Sequence, residues 1–141
     1  MLEDCELREH CQSRLTGDGD AQPTWAARLF KEVKMTHAHM GDYEVVSSTE
    51  TPECSLRLLK LARDKFVHLH HHHKATQIYF VLEGTAQVTV DRETVVLEPR
   101  QILRVPVDAI HSIRTESKAL VLSISIPPLE ASDQHVATEH R

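Results

Sequence analysis

The sequence predicts one all-β domain, built as an antiparallel sandwich or barrel. A chain of 141 residues is long enough for one sizeable core and too short for two. Between Tyr43 and Ile126, short β-rich runs recur at regular spacing without an intervening helical pattern, as is typical of such folds. Hydrophobic residues make up 40% of the chain and charged residues 26%, which excludes a wholly disordered chain.

The segments that flank this region differ from it in character. Residues 1–24 end in a dense cluster of turn-forming residues, and we expect them to form a mobile N-terminal arm. A short apolar stripe at 25–33 favours a helical turn, although a strand fits it almost as well. Pro127-Pro128 ends the strand pattern. The prediction is therefore a barrel domain over 25–126 and a mobile C-terminal tail over 127–141.

Nine strands are predicted within the barrel domain. Each is a short run rich in β-branched and aliphatic residues, and turn signals such as Thr51-Pro52 and Asp91-Arg92 separate the runs. Their ranges are 43–47, 55–62, 65–72, 77–83, 86–90, 94–97, 101–106, 111–115 and 119–126.

The charge distribution argues against a nucleic-acid partner. The chain carries a formal net charge of -5 at pH 7, but between residues 21 and 126 thirteen basic side chains are interspersed with twelve acidic ones. A nucleic-acid-binding face needs a concentration of basic side chains, and none is visible here. The four glycines cannot spell a Gly-rich phosphate-binding loop anywhere in the chain.

Other features bear on the compartment. No apolar run approaches the roughly 18 residues that span a bilayer, and no signal-like apolar stretch stands near the N terminus. The three cysteines, Cys5, Cys11 and Cys54, are an odd number without metal-ligand spacing, which suits a reducing compartment. We therefore expect a cytoplasmic protein with no membrane partner.

Histidines dominate one predicted strand. The chain has eleven histidines, and five of them fall between positions 68 and 73. Because side chains alternate along a strand, His68, His70 and His72 are expected on one face, and His71 and His73 on the other with Val67 and Leu69. Two histidines at i and i+2 can aim both imidazoles at one point, so His70 and His72 are a candidate metal-binding pair.

Two spaced motifs extend this pair. The pattern His70-x-His72-x4-Gln77-x6-Gly84 resembles the first motif of the cupin family, and Arg100-x5-Pro106-x-Asp108-x2-His111 resembles the second. Asp64, Arg100 and Asp108 stand where the family pattern has glycines, and Gln77 stands where it usually has glutamate.

The resemblance implies a double-stranded β-helix, a jelly-roll-like barrel with a peripheral N-terminal segment. It also implies one divalent metal ion (Mn, Fe, Ni or Zn) on His70, His72, Gln77 and His111. The set is similar to that of cupins that rearrange sugar acids, and the surrounding sequence also resembles the type II mannose-6-phosphate isomerase domain.

The expected function follows from that ligand set. Three imidazoles and an amide are neutral, so they leave the charge of the ion uncompensated and favour polarisation of a carbonyl. We therefore expect a redox-neutral metalloenzyme, an isomerase, lyase or tautomerase, acting on a small oxygenated substrate such as a sugar or sugar acid. A metal-dependent dioxygenase and a non-catalytic sugar- or metabolite-binding protein are the alternatives.

Several residues outside the ligand set have more than one possible role. Tyr79 shares a face with Gln77 by strand parity and is a candidate catalytic acid or base, or else a core aromatic. Three basic residues are candidates to bind a substrate carboxylate or phosphate, or else are solvated charges at the rim of the site: Arg57, Lys74 and Arg104. His68 is expected in the pocket wall, His71 and His73 at a surface or interface, and His37-Ala-His39 outside any site.

The last predicted strand bears on assembly. Leu120, Leu122, Ile124 and Ile126 share one of its faces, and a single barrel would leave that face in water. A homodimer would bury it, as would the chain's own N-terminal segment in a monomer. We expect the homodimer.

Overall fold

The computed structural model of the chain describes residues 40–138. The predicted N-terminal arm and the segment at 25–33 lie outside the described residues, as do His37 and His39. Eleven strands and one short 3-10 turn make up the described part. No helix in this range is long and apolar enough to cross a membrane.

The strands form two antiparallel sheets. Their bounds are β1 Gly41–Asp42, β2 Glu44–Glu50, β3 Ser55–Ala62, β4 Phe66–His71, β5 Thr76–Gly84, β6 Ala86–Val90, β7 Glu93–Leu97, β8 Ile102–Val105, β9 His111–Arg114, β10 Lys118–Ile126 and β11 His135–Val136. The first sheet has the order β1-β4-β9-β6-β7, with β11 also paired to β4, and the second has the order β2-β3-β10-β5-β8. The predicted all-β architecture is confirmed, and each of the nine predicted strands is present as β2 to β10.

The core lies between the two sheets. Inward side chains of both sheets meet there, and Val81, Val88, Ile113 and Val121 are fully buried. Strict alternation on β10 points Ala119 and Val121 inward, and it leaves the leucines and isoleucines of that strand half-buried or exposed on the outer face. The buried residues thus include this apolar cluster and, in addition, three buried histidines: His70, His72 and His111.

A bulge in β4 changes the predicted faces of that strand. Val67 pairs with Ile113 and His70 pairs with His111, so β4 advances three residues while β9 advances two. The extra residue resets the alternation, and the prediction for His68 and Val67 is wrong. Val67 lies in the core on the side of His70, whereas His68 is exposed. A strict period of two cannot detect such an insertion.

The C-terminal segment departs from the predicted mobile tail. It forms a 3-10 turn at Ala131–Asp133 and then β11, which pairs with His70 and His71 of β4. The Asp133 carboxylate, 4% exposed, accepts hydrogen bonds from the backbone N–H groups of His73, Lys74 and Ala75. These bonds tie the segment to the turn after β4.

The positions at which the family pattern has glycine lie in turns, and their backbones are in the left-handed region. Asp64, Arg100 and Asp108 have φ values of 62°, 71° and 66°, which explains why glycine suits these places. Gly84 has φ 73°, and a Cβ atom there would lie 2.0 Å from the carbonyl oxygen of Lys118. Glycine is therefore required at position 84, where β5 meets β10.

Candidate metal centre

Three histidines converge inside the barrel and form what we call the inner triad: His70, His72 and His111. His70 and His111 are direct partners on β4 and β9, and His72 follows β4 immediately. Their ring centroids are 4.2 Å (His70–His111), 4.9 Å (His70–His72) and 5.3 Å (His72–His111) apart. Each ring offers a nitrogen within 4.8 Å of the other two, and all three residues are buried.

Backbone carbonyls fix the tautomer of each ring. Nδ1 of His70 lies 2.6 Å from the oxygen of His68, and Nδ1 of His111 lies 2.9 Å from that of Ala109. Nδ1 of His72 lies 2.8 Å from the carbonyl oxygen of Asp133. A carbonyl oxygen only accepts, so each Nδ1 carries the proton and each Nε2 presents a lone pair. This is how metal-binding histidines are held in proteins.

Gln77 completes the site from the opposite sheet. Its amide nitrogen donates to the hydroxyl of Ser123 at 2.8 Å, and its Oε1 accepts the hydroxyl of Tyr79 at 3.2 Å, which sets the orientation of the amide. Oε1 then lies 2.7 Å from Nε2 of His111 and 3.2 Å from Nε2 of His72. Four acceptor atoms thus face one point without a proton to share between them. Such a set suits a divalent metal ion that accepts imidazole and oxygen ligands.

Burial also favours the neutral, ligating form of the histidines. Desolvation, with a contribution from neighbouring imidazoles, lowers the pKa of His70 to about 3. Desolvation likewise lowers the pKa of His111 to about 4, despite the hydrogen bond to Ala109. Both rings are therefore unprotonated at neutral pH, and a metal ion would not have to displace a proton from either.

Tyr79 lies beside the site but behind Gln77. The ring is fully buried, and desolvation raises the pKa of its hydroxyl above the ordinary value. Its hydroxyl donates to Oε1 of Gln77. The predicted closeness of Tyr79 to Gln77 is thus present, but the phenol is poorly suited to lose its proton.

The three candidate basic residues have different positions. Arg57 lines a small cavity beside His70, Gln77 and Tyr79, whose volume is about 20 Å³. Burial lowers the pKa of Arg57, with an opposing effect from the neighbouring Tyr43 and Glu50. Lys74 is exposed and pairs with Glu130 at 3.0 Å, and Arg104 is exposed on β8. Only Arg57 of the three lies near the inner triad.

The C-terminal segment is the part of the site that sequence reasoning missed. Asp133 holds His72 through its backbone oxygen, while Leu129 and Gln134 line the same small cavity as Arg57. No local pattern marks these residues, because their partners lie about sixty positions away in the sequence. In the sequence, an aspartate three residues after a glutamate looks the same as any solvated residue of a polar tail.

Comparisons with known proteins agree with this architecture. The family profile described as "Cupin domain" matches residues 58–126. TT1209 from Thermus thermophilus is 22% identical with a TM-score of 0.57, over 79% of this chain and 100% of that chain. KdgF from Halomonas sp. is 23% identical with a TM-score of 0.56, over 70% of this chain and 94% of that chain.

A cupin superfamily protein from Desulfitobacterium hafniense DCB-2 is also 23% identical, with a TM-score of 0.53 over 62% of this chain and 78% of that chain. At these identities the likeness concerns the fold. The comparison with curated proteins gave no match.

Proposed function

This chain is a cupin, and we propose that it is a metal-dependent enzyme that isomerises, tautomerises or cleaves a small sugar or sugar acid without net oxidation. The observation that carries the proposal is the convergence of Nε2 of His72 and His111 on Oε1 of Gln77, while Nδ1 of each ring lies against a backbone carbonyl oxygen. His70, His72, His111 and Gln77 would hold one divalent ion (Mn, Fe, Ni or Zn).

The ligand set supports redox-neutral chemistry. Every ligand is neutral, so a bound ion would keep its charge and supply Lewis acidity to an oxygen of the substrate. Gln77 is central here, because a glutamate at this position would offset part of that charge. Tyr79 acts in this proposal as a positioning residue, since its hydroxyl holds Oε1 of Gln77 toward the histidines.

Arg57 supports a substrate with a carboxylate. Arg57 lines the same cavity as His70 and Gln77. A planar guanidinium binds a carboxylate through two parallel hydrogen bonds. The substrate class favoured by this arrangement is a sugar acid.

The cavity is too small for such a substrate as it stands. Its volume of about 20 Å³ is close to that of a single water molecule measured in the same way. Leu129 and Gln134 of the C-terminal segment are among the residues that line it. We infer that this segment moves aside when substrate enters.

Activity assays on metal-reconstituted protein test the proposal. Protein loaded in turn with Mn²⁺, Fe²⁺, Ni²⁺ or Zn²⁺ under argon would be incubated with hexuronates, unsaturated uronates and hexose phosphates, and products followed by NMR. We expect metal-dependent conversion, with Arg57→Gln raising KM for carboxylate substrates and the exposed Arg104→Gln leaving it unchanged. Failure of every substrate with every metal would contradict the proposal.

Two other functions have their own support. The three-histidine shell suits an Fe²⁺-, Mn²⁺- or Ni²⁺-dependent dioxygenase, for which oxygen uptake with polyphenol, thiol or diketone substrates is diagnostic. The Arg57 side of the cavity would equally suit a non-catalytic binding protein, which would return a tightly bound ligand chemically unchanged. We propose that the protein acts in the cytoplasm as a homodimer, without a nucleic-acid partner.

A further inference from the structure

We propose that a second cluster of histidines, on the outer side of β4, binds a second divalent transition-metal ion of the Zn²⁺, Ni²⁺ or Cu²⁺ class. This outer triad consists of His71, His73 and His135. The β4 alternation that points His70 and His72 into the barrel points His71 and His73 away from it, and β11 brings His135 directly opposite His71. The outer triad is independent of the proposed activity of the inner one.

The ring centroids of the outer triad are spaced like those of the inner one, but among the described residues only the inner triad already brings its ring nitrogens within 4.8 Å of one another, so the outer rings would have to rotate to share an ion. Its ring centroids are 4.8 Å (His71–His73), 5.2 Å (His71–His135) and 4.4 Å (His73–His135) apart. The three distances in the inner triad span 4.2 to 5.3 Å. Imidazoles that share one ion with metal–nitrogen bonds of about 2 Å have centroids roughly 5 Å apart, so both triads match this spacing.

A buried nitrogen in the outer triad lacks a hydrogen-bond partner. Nδ1 of His71 is shielded from solvent and contacts no donor or acceptor among the described residues. Buried polar atoms in folded proteins are nearly always paired, so an unpaired one calls for a missing partner. A metal ion held by the three rings is a partner of the right kind.

Carboxylates lie behind two of the three rings. Nδ1 of His73 donates to Oδ1 of Asp108 at 2.6 Å, which leaves Nε2 of His73 as a free lone pair. Nε2 of His135 lies 3.8 Å from Oδ1 of Asp133. A carboxylate beside a metal-binding histidine helps to orient the ring and favours a bound cation nearby.

The ligand type and the solvent exposure of the outer triad determine which ion it binds and how fast that ion exchanges with solution. Imidazole ligands select Zn²⁺, Ni²⁺ and Cu²⁺ over Mg²⁺ and Ca²⁺, which prefer oxygen. The side chains of His73 and His135 are 57% and 38% exposed, so these rings have room to rotate toward a common ion. The outer site is therefore open to solvent and exchanges its ion faster than the buried inner site.

Metal stoichiometry after equilibrium dialysis against Zn²⁺ tests the proposal on the full chain. Relative to the wild-type protein, we expect His135→Ala and His73→Ala each to lose one equivalent of zinc, and His111→Ala to lose a different one. The double variant His111→Ala, His135→Ala should then lose two. His68→Ala is the matched control, because it removes an exposed histidine of the same strand that belongs to neither triad.

The two sites fail separately in this experiment. Full zinc stoichiometry in both His73→Ala and His135→Ala overturns the outer site, whatever His111→Ala does. Loss in these variants with none in His111→Ala supports the outer site and removes the proposed inner one. Circular dichroism spectra that match those of the wild type show that a loss of zinc does not reflect unfolding.

Discussion

Nε2 of His111 lies 2.7 Å from Oε1 of Gln77, although both atoms are acceptors. The hydrogen bond of His111 to Ala109 holds the ring proton on Nδ1, and the bonds of Gln77 to Ser123 and Tyr79 hold its oxygen toward the ring. Two lone pairs at this distance repel each other unless a positive charge lies between or beside them. The predictions for the inner site follow from this pair.

Removal of His111 is expected to abolish metal binding at the inner site and to leave the barrel folded. His111→Ala removes one of the four proposed ligands and changes none of the residues of the apolar core. A saturating metal stabilises the wild-type protein by about 2.7 kcal/mol at a free concentration of 100 times Kd. In a His135→Ala background, which lacks the proposed outer site, thermal unfolding with and without Zn²⁺ should show most of this stabilisation absent after His111→Ala and retained after His68→Ala. Equal stabilisation of both variants would rule out His111 as a ligand.

Gln77→Glu is expected to tighten metal binding and lower turnover. The carboxylate adds a negative charge to the ligand set, which attracts the cation but reduces the field that it exerts on substrate. The hydroxyl of Ser123, which accepts from Gln77 in the wild type, can rotate to donate to the glutamate. Competition with a chelator should give a Kd at least about 10-fold lower, a shift of about 1.4 kcal/mol. Unchanged or higher turnover would mean that Lewis acidity does not limit the reaction.

The residues of the inner site can be predicted from the sequence because most of them lie close together along the chain. His70, His72 and Gln77 lie within eight positions of one another, and a turn at positive φ followed by His111 completes the second motif. The structure brings all four together as the resemblance implied. The nine strands were equally accessible, because runs and turn residues alternate regularly between 43 and 126.

Two features of the site were not accessible from the sequence. The β4 bulge moves His68 outward and Val67 inward, and its cause is the pairing with β9 rather than any residue within β4. Asp133 binds backbone groups about sixty residues earlier, so nothing near it in the sequence distinguishes it from the other acidic residues of the C-terminal stretch. Both features depend on contacts distant in sequence.

Acid is expected to destabilise the metal-free protein well before its carboxylates titrate. The pKa values of His70 and His111 are about 3 and about 4 in the folded state, while an unfolded histidine has a pKa of about 6.5. Between these values the unfolded chain binds more protons than the folded one, so the free energy of unfolding falls as the pH falls. The two histidines together account for a loss on the order of 3 kcal/mol between pH 6.5 and pH 5.

Urea unfolding of chelator-treated protein over this pH range measures the effect. Replacement of one of the two buried rings by glutamine, as in His111→Gln, should roughly halve the loss, because one proton uptake is removed. His68→Ala should leave the profile unchanged, since that residue is exposed. A profile for His111→Gln that runs parallel to the wild type would contradict the assignment.

Asp133 is expected to support both the fold and the inner site. Asp133→Ala leaves the N–H groups of His73, Lys74 and Ala75 without their acceptor, at a cost of about 2–4 kcal/mol in the free energy of unfolding. It also frees the carbonyl that orients His72, so zinc affinity should fall about 10- to 100-fold. Asp133→Asn keeps an acceptor and should fall between the wild type and Asp133→Ala.

Glu130→Gln is the matched control for Asp133, because Glu130 is an acidic residue of the same segment whose carboxylate accepts hydrogen bonds from the exposed side chains of Lys74 and Ser132. A surface pair of this kind contributes little to stability. Equal effects of the Glu130 and Asp133 substitutions on zinc affinity would show that the negative charge of the segment, rather than the hydrogen bonds that the Asp133 carboxylate accepts, holds the segment in place.

The outer face of the second sheet is expected to form a homodimer interface. Leu122 of β10 lies between Leu58 of β3 and Phe80 of β5, and Ile124 lies between Leu56 and Ile78. These side chains are only half-buried in the chain alone, so they form a contiguous apolar surface across three strands. A self-complementary patch of this kind is closed most simply by a two-fold axis.

Light scattering at micromolar concentration distinguishes the dimer from a monomer covered by its own N-terminal segment. The monomer has a mass of 16.0 kDa, and we expect roughly twice that value for the wild-type protein. Leu122→Arg places a charge at the centre of the patch and should shift the mass toward the monomer, because a buried unpaired charge opposes association. Val96→Arg, at an exposed position on β7 of the other sheet, should leave the dimer intact. A wild-type mass near 16.0 kDa would reject the dimer.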